Sequence, residues 1–251
     1  MKKTASTTLL ITSLGLASQA SAALLASWDT FGDASTRLAN GFIGAADPNI
    51  AADFTAAGIT ATLSDEGGTA TDDIIRDTRT NNGNNDGTFG SSFTGASMTE
   101  GQLRLGNFNT AMASGDIFLN VTNNTGQTIE FDDVFFDFQA QSINGETHDT
   151  YSVLFENTTL GTASSVLGSG SVAINSTYED IDVSAGGVVL GDGEAGRFVI
   201  TLSGATSNSS SSFLDNFGFS GEPISDEAIP EPSSTALLGL AGLGLLRRRR
   251  K

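Results

Sequence analysis

The chain predicts an all-β fold, an antiparallel β-sandwich of the jelly-roll kind, on three observations. Short runs in which apolar and polar residues alternate recur through the middle of the chain, while apolar residues at helical spacing are scarce. Between the runs stand clusters of Gly, Asn, Ser and Asp, including Asn40-Gly41, Asn82-Gly83, Asp86-Gly87 and Asn144-Gly145, steps that supply the positive φ of tight hairpins. About twelve such runs fall within roughly 200 residues, a density that suits two packed sheets.

Residues 1–22 read as a secretory signal helix, with Lys2 and Lys3, an apolar stretch from Leu9 to Ala17, and Ala20 and Ala22 framing a small-x-small cleavage site. Thr and Ser interrupt that stretch and it is too short to span a bilayer, so the mature chain is expected to begin at Ala23. The sandwich is assigned to residues 23–221. In Gly58 to Ser64 the residues Ile59, Ala61 and Leu63 share one face; in Asp116 to Thr122 they are Ile117, Leu119 and Val121. Thr150 to Glu156 presents Tyr151, Val153 and Phe155 in the same way, and Arg197 to Ser203 presents Phe198, Ile200 and Leu202. Each is apolar on one face and polar on the other, as in a sheet covered on one side only. From Ile129 to Phe138 the phase switches: Ile129 and Phe131 lie on one parity, Val134, Phe136 and Phe138 on the other, with Asp132-Asp133 between. A β-bulge at the two aspartates would keep all five on the inside.

An acidic linker, residues 222–229, leads to the tail, residues 230–251. The tail has three parts: Pro230-Glu231-Pro232, an uncharged stretch from Ser233 to Leu246, and the cations Arg247, Arg248, Arg249, Arg250 and Lys251. As a helix the fourteen uncharged residues measure roughly 21 Å against a hydrocarbon core of about 30 Å, a mismatch that thinning and snorkelling arginines absorb. The basic cluster halts translocation with those residues on the cytoplasmic side. Pro232 suits the first turn of a single membrane helix. A plain tail anchor or a basic end without a sorting role is the alternative.

This tripartite tail resembles the PEP-CTERM sorting signal, whose Pro-Glu-Pro is the recognition element for an exosortase-type membrane transpeptidase. The resemblance covers Pro230 to Lys251. It implies a protein that is exported and membrane-anchored through its C-terminus. Processing near Pro232 would then leave it on the cell surface, or in the exopolysaccharide and biofilm matrix, of a two-membrane bacterium. The run Leu214-Asp215-Asn216-Phe217-Gly218-Phe219 resembles the closing strand of jelly-roll domains common in PEP-CTERM proteins, which implies pairing near the first strand, Ala23 to Asp29.

Without Lys2, Lys3 and the five terminal cations, five basic residues (Arg37, Arg76, Arg79, Arg104, Arg197) face the twenty-nine acids between Asp29 and Glu231, a net charge of −24, and no lysine remains. Such a surface repels nucleic acid and anionic lipid and attracts divalent cations. There is no cysteine, so disulfides, thiolate catalysis and cysteine metal sites are excluded. The one histidine, His148, stands in Glu146-Thr147-His148-Asp149 and reads as a turn residue; no serine occupies a Gly-x-Ser-x-Gly elbow, and one His without Cys makes a poor zinc or copper site.

The mature chain therefore reads as non-enzymatic and structural or adhesive. Two rivals stay open. A glycoside hydrolase needs two carboxylates, and Asp180 with Asp182, or Asp132 with Asp133, could supply them. A carbohydrate-binding module acting on extracellular polysaccharide needs an exposed Trp or Tyr. Trp28 lies on the first strand and Tyr151 on a core-facing parity, which leaves Tyr178. One candidate cofactor is calcium: Asn82, Asn84 and Asp86 carry oxygen at alternate positions, as in a calcium loop. Phe93 stands where the bidentate Glu belongs; Asp72, Asp73 and Asp77 could supply charge across the loop, while hairpin turns account for the same residues without a metal. The ligand, the cut and the oligomeric state are not written in the sequence.

Overall fold

Alternating residues become strand wherever the alternation is long enough to bury one face, and every regular element among the described residues is a β-strand. The computed structural model describes residues 22–29, 31, 42–43, 50–65, 74–80, 88–89, 93–94, 100–105, 114–141, 147–174, 177–205 and 211–224. The signal helix, the membrane helix, the sorting motif Pro230 to Pro232, and Asn82, Asn84 and Asp86 with Asp72 and Asp73 lie outside these residues; Asp77 falls in a described strand, its side chain outside. In chain order the strands are β1 (Ala23–Trp28), β2 (Phe42–Ile43), β3 (Ile50–Ala51), β4 (Phe54–Thr55), β5 (Ile59–Asp65), β6 (Ile74–Thr80), β7 (Thr88–Phe89), β8 (Phe93–Thr94) and β9 (Glu100–Leu105). They continue with β10 (Ser114–Asn123), β11 (Thr128–Gln141), β12 (Thr150–Asn157), β13 (Thr162–Ala163), β14 (Gly168–Ser171), β15 (Glu179–Leu190), β16 (Ala195–Ser203) and β17 (Ser211–Ile224).

One sheet of eight strands runs β15-β11-β17-β9-β6-β2, with β1 on β17 and β4 on β1; a second of seven runs β13-β12-β16-β10-β5-β3, with β14 on β12. A two-stranded piece pairs β7 with β8. Every pairing is antiparallel. From β9 to β12 and again from β14 to β17 the chain steps from one sheet to the other at each connection, a jelly-roll-like winding. Among the described residues seventeen strands stand where about twelve were expected, because six of them are two residues long and too short to show alternation.

The core lies between the sheets and is built on phenylalanine. Phe131 and Phe219 of the eight-stranded sheet meet Phe155 and Phe198 of the other: Phe131 touches Phe198 edge-on at 5.0 Å and 84°, and Phe219 at 5.7 Å and 82°. Phe155 packs on Phe131 at 5.5 Å and on Phe198 at 4.9 Å. Such edge-to-face pairs add to the area they bury. The expected bulge is present: along β11 the register with β15 shifts between Phe131 and Asp133, and with β17 between Phe131 and Val134. Ile129, Phe131, Val134, Phe136 and Phe138 all reach the core.

A second bulge, in β17, explains the Asp-Asn of the closing run. Between the pairs Phe135↔Gly218 and Asp137↔Asp215 the strand β17 carries one extra residue. Asn216 takes φ 48°, a left-handed conformation that Asn tolerates better than most residues. Its amide N–H donates to Asp215 Oδ1 at 3.0 Å and its Nδ2 to Asp137 Oδ2 at 2.7 Å. The extra residue restores the phase, so Leu214, Phe217 and Phe219 all face inward. Gly218 keeps the other face bare: a Cβ there would lie 2.3 Å from the ring of Phe135 and 2.8 Å from Ala26 O. One boundary is corrected. The segment read as a linker from residue 222 begins in strand, because Glu222, Pro223 and Ile224 pair with Glu130, Ile129 and Thr128.

Candidate functional site

The pairing of first and last strands decides where the chain ends emerge. Ala23 stands opposite Gly221 and Thr128 opposite Ile224, so the first residue expected of the mature chain and the root of the tail leave side by side. The same end carries the short turns 56–58, 124–127, 158–161 and 191–194, and buried Asn123 ties the second of them to the fourth. Its Nδ2 donates to Gln127 O and Leu190 O, both at 2.8 Å, while its Oδ1 accepts from the Thr125 amide at 3.0 Å and hydroxyl at 2.8 Å. Its main chain accepts from the Gly193 N–H at 2.7 Å and donates to Glu194 O at 3.0 Å. Gly58, at φ 81°, lets its turn approach so closely that a Cβ would lie 2.8 Å from Thr125 Cα. Sequence reasoning missed Asn123; its one trace there is the Asn-Asn-Thr-Gly step from residue 123 to residue 126.

At the opposite end leave the connections 66–73, 106–113, 142–146 and 206–210, each joining strand ends that pair around Ser203, Ser211 and Leu105. His148 lies there, between β11 and β12, and is buried: it is 1% exposed, and its carbonyl accepts from Ser212 Oγ at 3.0 Å. Tyr178 is corrected too. It is half-buried and its hydroxyl donates to Gln102 Oε1, so it is no open stacking platform. Trp28 is buried and donates Nε1–H to Ile50 O at 3.1 Å, and Tyr151 lies edge-on against Phe136 at 5.5 Å. No Trp or Tyr of the chain is exposed.

The outer face of the eight-stranded sheet gathers acids. Asp180 and Asp182 share that face and are both exposed, as their spacing predicts. Asp182 pairs with Phe135, and Asp180 with fully buried Asp137, which is itself opposite Asp215. At the bulge, burial raises the Asp133 carboxyl above its ordinary range, helped by the charges of Asp182 and Asp132. An acid held above its unfolded value of about 3.9 binds more protons folded than unfolded, so its contribution falls as pH rises through that window. Asp133→Asn is therefore expected to lose less melting temperature than the parent between about pH 4 and 7 in chelator, read by scanning fluorimetry. The carboxyl is largely wet and screened, so the difference is small. Equal slopes would remove the assignment. Among the described residues no three His, Cys, Asp or Glu side chains are grouped to hold a metal ion.

The described strands define an antiparallel β-sandwich whose first and last strands lie side by side. A family model described as the PEP-CTERM protein-sorting motif matches residues 228–251. The chain carries that motif, which marks exported, C-terminally processed proteins, and Pro230, Glu231, Pro232 and Arg247 to Lys251 lie within it. No curated protein matches the chain. Among solved structures it is similar to a carbohydrate-binding module of the β-sandwich superfamily, at 9% identity and TM-score 0.37 over 66% of this chain and 58% of that one. It is similar to the K1 cleaved adhesin domain of Lys-gingipain from Porphyromonas gingivalis W83, at 15% identity and TM-score 0.36 over 65% and 90%. The family 29 carbohydrate-binding module CBM29_1 from Piromyces equi follows at 14% identity and TM-score 0.29 over 67% and 96%. At these scores the likenesses say nothing about a ligand.

Proposed function

We propose that this protein is a non-enzymatic structural or adhesive β-sandwich, held at the membrane by its tail until an exosortase-type transpeptidase releases it to the surface or matrix. The observation that carries the reading is the β1–β17 pairing, which brings Ala23 and Ile224, where the two chain ends begin, to one knit end. The connections 66–73, 106–113, 142–146 and 206–210 leave from the other end. From Ile224 to Pro230 the chain spans at most about 20 Å even when fully extended. The knit end therefore stays close to the bilayer while the tail is inserted, and the strand ends at Asp65, Leu105, Gln141 and Ser203 face away from it.

Of the rivals, hydrolysis finds Asp180 and Asp182 on a solvated face. Glycan binding finds no exposed Trp or Tyr. The test places a protease site in 142–146 of one variant and in 225–229 of another and cleaves the membrane-held proteins. Cleavage at 142–146 is expected to proceed as fast as in detergent, and cleavage at 225–229 at least tenfold slower until detergent is added. Equal protection at the two sites would overturn the reading. Retention of the released domain on a polysaccharide column would replace an adhesive role with glycan binding.

A further inference from the structure

Three oxygen atoms on the outer face of the eight-stranded sheet are shut off from solvent and lack any hydrogen-bond partner: Asp132 Oδ2, Ser220 Oγ and Glu222 Oε2. The register puts them together. Glu222 faces Glu130, Gly221 faces Phe131, and the next pair is Phe219 with Val134, so Asp132 and Asp133 both stand opposite Ser220. Phe131, Val134 and Phe219 point into the core, and a Cβ on Gly221 would meet Leu25 Cδ1 at 3.0 Å on that same inner side. By strand alternation Ser220 and Glu222 point outward, with the two aspartates between Phe131 and Val134. Ser220 and Glu222 are two residues apart, roughly 7 Å along the strand.

A protein has strong reasons not to leave such a group bare. A buried carboxylate oxygen without a donor loses its hydration and gains nothing in return, so an unsatisfied one points to an ion or ordered water. Like charges directly opposed across strands, as Glu130 and Glu222 are, add repulsion. The one basic residue whose side chain is described, Arg197, sits on the other sheet and is paired with Glu156 at 2.5 Å. Ser220 is 0% exposed and held on both sides by its strand neighbours, so it is not free to turn toward water.

We propose that this bulge binds a divalent cation of the calcium type, with Asp132, Ser220 and Glu222 as side-chain ligands and Glu130 and Asp133 adding negative charge. The donors are all hard oxygens and of mixed kind, carboxylate and hydroxyl, which suits the irregular coordination of calcium and not a nitrogen- or sulfur-seeking metal. Waters and backbone carbonyls complete the shell, the mode of weak extracellular sites with Kd near 10⁻⁴–10⁻³ M. The ion would join β11 to the closing strand β17, so the sandwich tightens where calcium is plentiful, outside the cell. Its ligands are not those of the Asn82, Asn84 and Asp86 pattern.

The test uses the full chain in detergent, stripped with EDTA and titrated with calcium chloride by calorimetry and scanning fluorimetry. One ion is expected to bind, with a rise of about 3–6 °C in melting temperature at ten times Kd. The Asp132→Asn, Glu222→Gln double variant is expected to lose at least tenfold in affinity and to melt no lower than the parent in EDTA, yet below it in calcium. Ser220→Ala, which changes no charge, should weaken binding several-fold and serves if the double variant does not fold. Asp86→Ala should bind as the parent does. Absence of a calcium effect, a shift that survives both bulge variants, or a shift lost in Asp86→Ala overturns the proposal.

Discussion

A chain ended at Ser210 is expected to fail to fold, while one ended at Ile224 melts within about 2 °C of the full exported domain. The reason is the place of β17, which pairs with β11 along Thr128 to Gln141 on one side and with β9 and then β1 on the other. Without it β1 keeps only the two pairs to β4, Ala26↔Thr55 and Ser27↔Phe54. Leu214, Phe217 and Phe219, each 0% exposed, leave the core. At about 1.5–3 kcal/mol for each buried side chain that is roughly 5–9 kcal/mol, comparable with the whole stability of an ordinary domain. The stripped edge of β11 adds unpaired backbone groups to the loss. Circular dichroism and limited proteolysis of the two truncations decide the matter. A cooperative, protease-resistant product ending at Ser210 would show that β17 is dispensable.

Phe131→Ala is expected to cost about 3–5 kcal/mol and to lower the melting temperature by about 10–15 °C. Phe131 is 0% exposed and touches Phe155 and Phe198 of one sheet and Phe219 of the other, so its ring joins the layers. Its neighbours are held by both ladders and cannot collapse into the space, which puts the cost at the upper part of the range for large-to-small changes. Val166→Ala, at a residue 56% exposed, is the control and should stay within about 0.5 kcal/mol. Urea unfolding of both variants measures the difference, and a loss under about 1 kcal/mol at Phe131 would mean that the two layers are joined elsewhere.

The strand faces were legible wherever alternation ran for five residues or more, as in β5, β10, β12 and β16, and the phase switch at Asp132-Asp133 announced its bulge. The two-residue strands were not, since two residues carry no period. The closing run was legible through its Leu-Asp-Asn-Phe pattern, but the reason for Asn216, a left-handed bulge residue that donates to Asp137, appears only when β11 lies beside it. Tyr178 looked free because, unlike Trp28 and Tyr151, it falls on no run whose parity faces the core; its partner Gln102 comes from a distant strand. The sandwich was ended at Gly221 because Glu and Pro are poor strand formers, and pairing of residues 222–224 with β11 overrode that preference.

By itself the amino-acid order determined the class of fold, the inward face of each long strand and the tripartite tail, since two-residue periodicity, charge and apolar length are local properties. Tertiary structure alone decided that Ala23 and Ile224 lie at one end, that Asn123 joins the turns 124–127 and 191–194 there, and that Asp132, Ser220 and Glu222 share one face. Those facts arise from the register between strands far apart in the chain, which depends on how two whole sheets pack and which no local window records.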